Sequence, residues 1–196
     1  MPKRLPDIDT IFLDRDGVIN ADSPDYITSR DAFHPLPGSL AAIARLIRCG
    51  CRVIVITNQS AINRGMLPLS ELTAIHARLR QGVQALGGRI TDIYFCPHRP
   101  DEGCDCRKPK PGMIIQASRQ HGIDLSRSIM VGDSAKDILA GKAAGCARTL
   151  LVKTGNGLQA VAALTENGTP PDHVAADLAA AAEWILGPST STSTHP

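Results

Sequence analysis

The sequence predicts an α/β fold, a doubly wound and mainly parallel sheet with no separate cap domain and a small metal-binding loop. Three observations predict it. Short aliphatic runs recur along the chain, segments of helical period separate them, and the polar residues able to do chemistry fall directly after the runs. Residues 10–13, 52–56, 92–95, 128–131 and 148–152 read as strands, because each is short, apolar and closed by polar residues or Gly. Residues 38–49, 70–86, 111–121 and 135–144 carry apolar positions at three-to-four spacing, with Ser70, Glu71 and Pro111 as start signals. Apolar strands joined by helices imply a parallel sheet covered on both faces, wound by right-handed crossovers. A last helix is expected over 177–186, docked by Trp184.

The length of 196 residues favours one compact domain, expected over 1–188. The Ser/Thr-rich tail 189–196 lacks an apolar face and is expected to be disordered. Lys and Arg number 21 against 19 Asp and Glu, so the net charge of +2 argues against a surface built to hold nucleic acid or anionic lipid. An aromatic content of 3% also argues against stacking platforms for single strands. No apolar run reaches the length of a membrane span, and the opening residues lack a signal-type stretch, so a cytoplasmic monomer is expected. Of six cysteines, Cys49, Cys51 and Cys146 lie among apolar residues and Gly and read as small buried hydrophobes.

In doubly wound sheets, ligands sit outside the carboxyl ends of the strands. Asp14 and Asp16 follow the first strand on a turn opened by Gly17. Two such carboxylates can hold a hard cation such as Mg²⁺, and one of them could attack a phosphoryl group while the other handles the proton. Thr57, Asn58, Gln59 and Ser60 follow the second strand and offer hydroxyls, amides and backbone N–H groups to phosphate oxygens. Arg107 and Lys108 place two cations before Pro109 and Pro111, and Asp133 and Ser134 follow the fourth strand. Each piece alone also reads as a turn, a cap or a solvated charge. Their joint occurrence in this order does not.

A second constellation is Cys96, His98, Cys104 and Cys106. Three thiolates and one imidazole make the ligand set of a closed tetrahedral zinc site, although the one-residue gaps depart from finger spacing. With four protein ligands no place remains for an activated water, so this Zn²⁺ is expected to be structural and to order the loop carrying Arg107 and Lys108. His34, His76, His121 and His173 have no clustered partners and are expected to be structural or exposed.

Over residues 11–152 the sequence resembles the haloacid-dehalogenase-like (HAD) phosphatase superfamily. The resemblance rests on Asp14-Arg15-Asp16-Gly17-Val18-Ile19-Asn20, Thr57-Asn58-Gln59-Ser60, Cys106-Arg107-Lys108-Pro109 and Val131-Gly132-Asp133. It implies that Asp14 is the nucleophile and Asp16 the general acid and base. Thr57 and Lys108 would steady the phosphoryl group, and Asp14, Asp133 and the backbone carbonyl of Asp16 would hold Mg²⁺. The Cys/His loop running into Arg-Lys-Pro is similar to two families within that superfamily, the heptose-1,7-bisphosphate 7-phosphatases and the histidinol phosphatases. The run Thr57 to Gly65, with Asp22 and Tyr26, looks much more like the first. That likeness implies a small phosphorylated sugar as substrate, with removal of the C7 phosphate. It further implies contacts from Asp22, Ser23, Pro24 and Asp25, from Thr57, Asn58, Gln59 and Ser60, and from Arg107, Lys108 and Ser134. Ser134 stands where such proteins often carry Lys or Arg. A reading of another class is a zinc-stabilised binding module without catalysis.

No lid domain fits the spacing. Between Asp16 and Thr57 there is room for one loop and one helix, and between Thr57 and Lys108 for one helix, one strand and the zinc loop.

Overall fold

The computed structural model describes Leu5 and residues 8–187, so the tail 189–196 lies outside the described residues. Six parallel strands form one sheet in the order β3-β2-β1-β4-β5-β6. The strands are β1 (Thr10–Leu13), β2 (Arg52–Asn58), β3 (Asp92–Cys96), β4 (Ser128–Gly132), β5 (Arg148–Val152) and β6 (His173–Ala175). The helices are α1 (Ser39–Arg48), α2 (Leu69–Ala85), α3 (Gly112–His121), α4 (Ala135–Ala144), α5 (Gly157–Glu166) and α6 (Leu178–Leu186).

Strand side chains alternate between the two faces, and the core divides accordingly. Ile11, Leu13, Val53, Val55, Ile129, Val131, Leu150 and Val152 pack with α1, α2 and α6. Phe12, Ile54, Ile56, Tyr94 and Met130 pack with α3 and α4 on the other face. Leu151 meets α4 and α5. The central strands are buried on both faces, each large aliphatic contributing about 1.5–3 kcal/mol, which is why they read as continuous apolar runs.

All five expected strands are present. The sheet adds β6, and α5 precedes it. The strand was missed because three residues at an edge give no periodicity, and the helix because its Ala-rich face gives little contrast. β2 runs on through Thr57 and Asn58, since these pair with Phe95 and Cys96. In α6 the expected Asp177 is the N-cap, its carboxylate accepting from the Ala180 N–H at 2.8 Å. Trp184 packs against the core and stacks on His173 at 4.4 Å between ring centroids. Of the three lone cysteines, Cys51 is buried, while Cys49 and Cys146 are half-buried against the core.

Residues 17–38 form no cap domain. They fold back as a loop fastened by isolated bridges from Asn20 to Asp16 and to Pro35. Among the described residues no helix is long and apolar enough to cross a membrane.

Candidate active site and cysteine cluster

β1 leaves the sheet with its ladder extended by one bond, the Asp14 N–H donating to Val131 C=O at 2.9 Å. This delivers the Asp14 carboxylate to the carboxyl edge of the sheet, between the ends of β2 and β4. There the buried Lys108 ammonium lies 2.9 Å from Asp14 Oδ1 and 2.6 Å from Asp137 Oδ1, and donates to Ile56 C=O at 2.8 Å. Asp14, Asp133 and Asp137 each offer an oxygen within 4.8 Å of the others.

Asp14 and Asp137 thus share one ammonium, with the Asp133 carboxylate close by. Burial pushes the Asp14 carboxyl well above the usual range; Lys108 opposes this, while Asp137, Asp133 and Asp16 add to it. Burial likewise pushes Asp133 up to about 6, against the backbone N–H of Asn156. Burial pulls Lys108 toward neutrality, but the Asp137 and Asp14 carboxylates outweigh it and hold the ammonium above the ordinary lysine range. The surplus negative charge and the hard oxygen donors suit a cation such as Mg²⁺.

Asp16 points elsewhere. Its carboxylate accepts from Arg15 Nε at 3.0 Å, Arg15 Nη2 at 2.8 and 2.9 Å, Asn20 Nδ2 at 2.9 Å and Gln59 Nε2 at 2.8 Å. Arg15 is fully buried beneath it. Gln59 also donates to Thr57 Oγ1 at 2.9 Å, so one amide links the carboxylate after β1 to the hydroxyl at the end of β2.

The cysteine cluster follows from sheet register. Cys96 is the partner of Asn58, which puts the start of the loop beside the end of β2. Cys106 Sγ lies 3.0 Å from Cys96, 3.5 Å from Cys104 and 3.2 Å from His98 Nδ1, and Cys96 lies 3.6 Å from Cys104. A tetrahedron of zinc–sulfur bonds has edges of about 3.8 Å, so these four ligand atoms fit Zn²⁺. The loop then returns to the site: Arg107 donates to His98 C=O at 3.0 Å, and the Asn58 side chain grips the Lys108 backbone through both its amide atoms at 3.1 Å.

A cavity of about 370 Å³ opens over these groups. Asp14, Asp16, Asp22, Ser23, Pro24, Thr57, Asn58, Gln59, Ser60, Arg107, Lys108, Asp133 and Ser134 all line it. Asp25 does not; Tyr26 and Ile27 take its place, Tyr26 turning the loop with a left-handed φ of 63°. A wider groove along α3 holds the exposed Asp105–Lys110 pair and no converging acids.

The HAD-hydrolase-like family model matches residues 105–181. The chain is 49% identical over 176 residues to the D-glycero-β-D-manno-heptose-1,7-bisphosphate 7-phosphatase of Pseudomonas aeruginosa, covering 90% of this chain and 97% of that protein. It is 45% identical over 177 residues to the protein of the same name from Bordetella bronchiseptica, again covering 90% and 97%. The solved structure of the B. bronchiseptica D,D-heptose 1,7-bisphosphate phosphatase, complexed with magnesium and phosphate, superposes with a TM-score of 0.85 over 91% of this chain and 98% of that one. The chain belongs to the heptose-1,7-bisphosphate 7-phosphatase family. These relatives lend no support to a histidinol phosphatase or to a zinc module without catalysis.

Several cavity-lining residues of this family member escaped sequence reasoning. Asp137 sits at the third position of α4, where an acid reads as half of a capping box; it does accept from Ser134 N at 3.0 Å and Ser134 Oγ at 2.6 Å. Its full burial against Lys108 was the missing information. Ser134 spends its hydroxyl on that cap. Lys136, two residues on, supplies a cation to the cavity wall instead, as does Arg64. Asn156 follows β5, and extending the strand-end rule to the fifth strand would have found it.

Proposed function

We propose that this protein hydrolyses the C7 phosphate of D-glycero-D-manno-heptose 1,7-bisphosphate, leaving heptose 1-phosphate and inorganic phosphate. The observation that carries the reading is the buried Asp14–Lys108–Asp137–Asp133 group at the sheet edge, in a chain of this family. The names of the first relatives specify the β anomer, which supports β as the preferred form.

Asp14 is the nucleophile. Its free carboxylate oxygen attacks phosphorus, an O–P bond forms, the bond from phosphorus to the C7 oxygen breaks, and Asp16 in its protonated form gives that oxygen its proton. Water then attacks the aspartyl-phosphate, Asp16 takes the proton, and phosphate leaves as Asp14 is restored. Lys108 holds Asp14 in line, and Thr57 donates to a phosphoryl oxygen. Asp14, Asp133 and the backbone carbonyl of Asp16 are the groups that would hold Mg²⁺, with Asp137 alongside. Bound there, Mg²⁺ neutralises charge on the transferring group. Arg15, Asn20 and Gln59 fix the position of the Asp16 carboxylate. Asp22, Ser23, Pro24, Asn58, Gln59, Ser60, Arg107 and Ser134 shape the sugar-phosphate pocket.

Zn²⁺ on Cys96, His98, Cys104 and Cys106 is structural. Residues 1–188 work as one domain, and the protein as a monomer. None of the six cysteines forms a disulfide, which supports a reducing cytoplasm. Steady-state kinetics on both anomers of the bisphosphate, beside histidinol phosphate under the same Mg²⁺, tests the substrate. A higher kcat/KM for histidinol phosphate would overturn it.

A further inference from the structure

Asp133 is seated by a loop that the chemistry above does not use. Its Oδ2 accepts the Asn156 backbone N–H at 2.8 Å and Asn156 Nδ2 at 3.3 Å. The same Nδ2 donates to Asp22 Oδ2 at 3.1 Å. Both neighbours are carboxylates, which only accept when ionised, so the orientation of the Asn156 amide is settled by chemistry: nitrogen toward the acids, oxygen away. The pocket for Oδ2 is closed by two glycines. A Cβ on Gly17 would lie 2.1 Å from Asp133 Oδ2, and so would one on Gly155. Thr154 Oγ1 donates to Gly17 C=O at 2.6 Å and fastens this loop to the turn after β1. Asp133 therefore has one oxygen fully occupied, and Oδ1 is left for an ion.

We infer that Asn156 is a positioning residue for the divalent ion, presenting Asp133 through Oδ1 alone by holding Oδ2 with its backbone and side-chain N–H groups. The inference rests on the Mg²⁺ site proposed above. Outer-shell partners of this kind typically change metal affinity 10–100-fold when removed. Asn156→Ala deletes the side-chain bonds and keeps the backbone one, so the low end applies.

Mn²⁺ is the probe, its free-ion electron paramagnetic resonance signal being lost on binding to the zinc-loaded protein. Wild type is expected to bind one Mn²⁺, and Asn156→Ala to bind it about 10-fold more weakly, with unchanged zinc content and metal-free melting temperature. Asn156→Ser, whose side chain is too short to reach both carboxylates, should show the same weakening. A folded Asn156→Ala protein with wild-type Mn²⁺ affinity overturns the inference and leaves the site standing. A wild-type protein that takes up no Mn²⁺ overturns both.

Discussion

The carboxylate centre and the cysteine cluster lie side by side, yet they are built in opposite ways. The centre draws Asp14, Thr57, Lys108, Asp133 and Asn156 from the ends of four strands and one loop, so its geometry depends on the whole sheet. The cluster draws its four ligands from residues 96–106, and only its anchor, the Asn58–Cys96 pairing, is long-range. Chemistry that needs mutually repelling acids held close requires a rigid scaffold, because local chain preferences would separate them. A closed metal site can instead be supplied by a short loop, since the ion itself draws the ligands together.

The sharpest way to break this contrast is at Asp14. Asp14→Asn keeps size and hydrogen bonding but removes the nucleophile, and turnover should fall on the order of 10⁴-fold or more. Far-UV dichroism and zinc content should stay at wild-type values. Residual activity near wild type would remove Asp14 from the reaction.

Next is Asp137→Ala. It leaves the buried Lys108 with Asp14 alone, and breaking a buried ion pair typically costs about 3–5 kcal/mol. Urea unfolding should show that loss. A loss under about 1 kcal/mol would mean that Asp137 only caps α4. This residue also marks where sequence reasoning stopped. Asp14, Thr57 and Asp133 were legible because each follows a strand, Lys108 because it precedes a Pro-marked helix start, and the cysteine-cluster ligands because they fall within one short segment. Asp137 was hidden behind its local role as a cap, and burial, which distinguishes a cap from a site acid, is a property of the folded chain. Asn156 and the edge strand β6 lay in an Ala- and Gly-rich stretch with little pattern to read. The fold class was legible throughout, because central parallel strands announce themselves as apolar runs.

Cys104→Ser probes the other region. Losing one zinc ligand should release the loop that carries Arg107 and Lys108, raising KM for the bisphosphate about 10-fold and lowering stability on the order of 2 kcal/mol. Zinc analysis and urea unfolding read both. A kcat lowered as much as kcat/KM would show that the cluster shapes the reacting centre, contrary to the contrast drawn above.

The smallest effect is on pH. The folded Asp133 carboxyl sits at about 6 against 3.8 for the free group, so between those values the folded state binds more protons than the unfolded state. Its contribution to stability is complete below pH 3.8 and lost as pH rises through about 6, the reverse of a salt-bridged acid. His76 acts in the opposite direction: burial first, then Arg15 and Arg80, lower its pKa to about 3, so its neutral burial costs stability as pH falls below 6.5. Wild-type melting alone mixes the two. The difference between metal-free wild type and Asp133→Asn cancels His76, which is common to both, and reports the Asp133 carboxyl together with its effect on Asp14. That difference should favour wild type by on the order of 1–2 kcal/mol more at pH 4.5 than at pH 7, after discounting for partial solvent access. Mg²⁺ should reduce it, since the ion binds the carboxylate and supplies at neutral pH the positive charge that the proton supplies in acid. A difference that is flat with pH would mean that the centre is already balanced without a metal, and that rigidity alone holds its acids together.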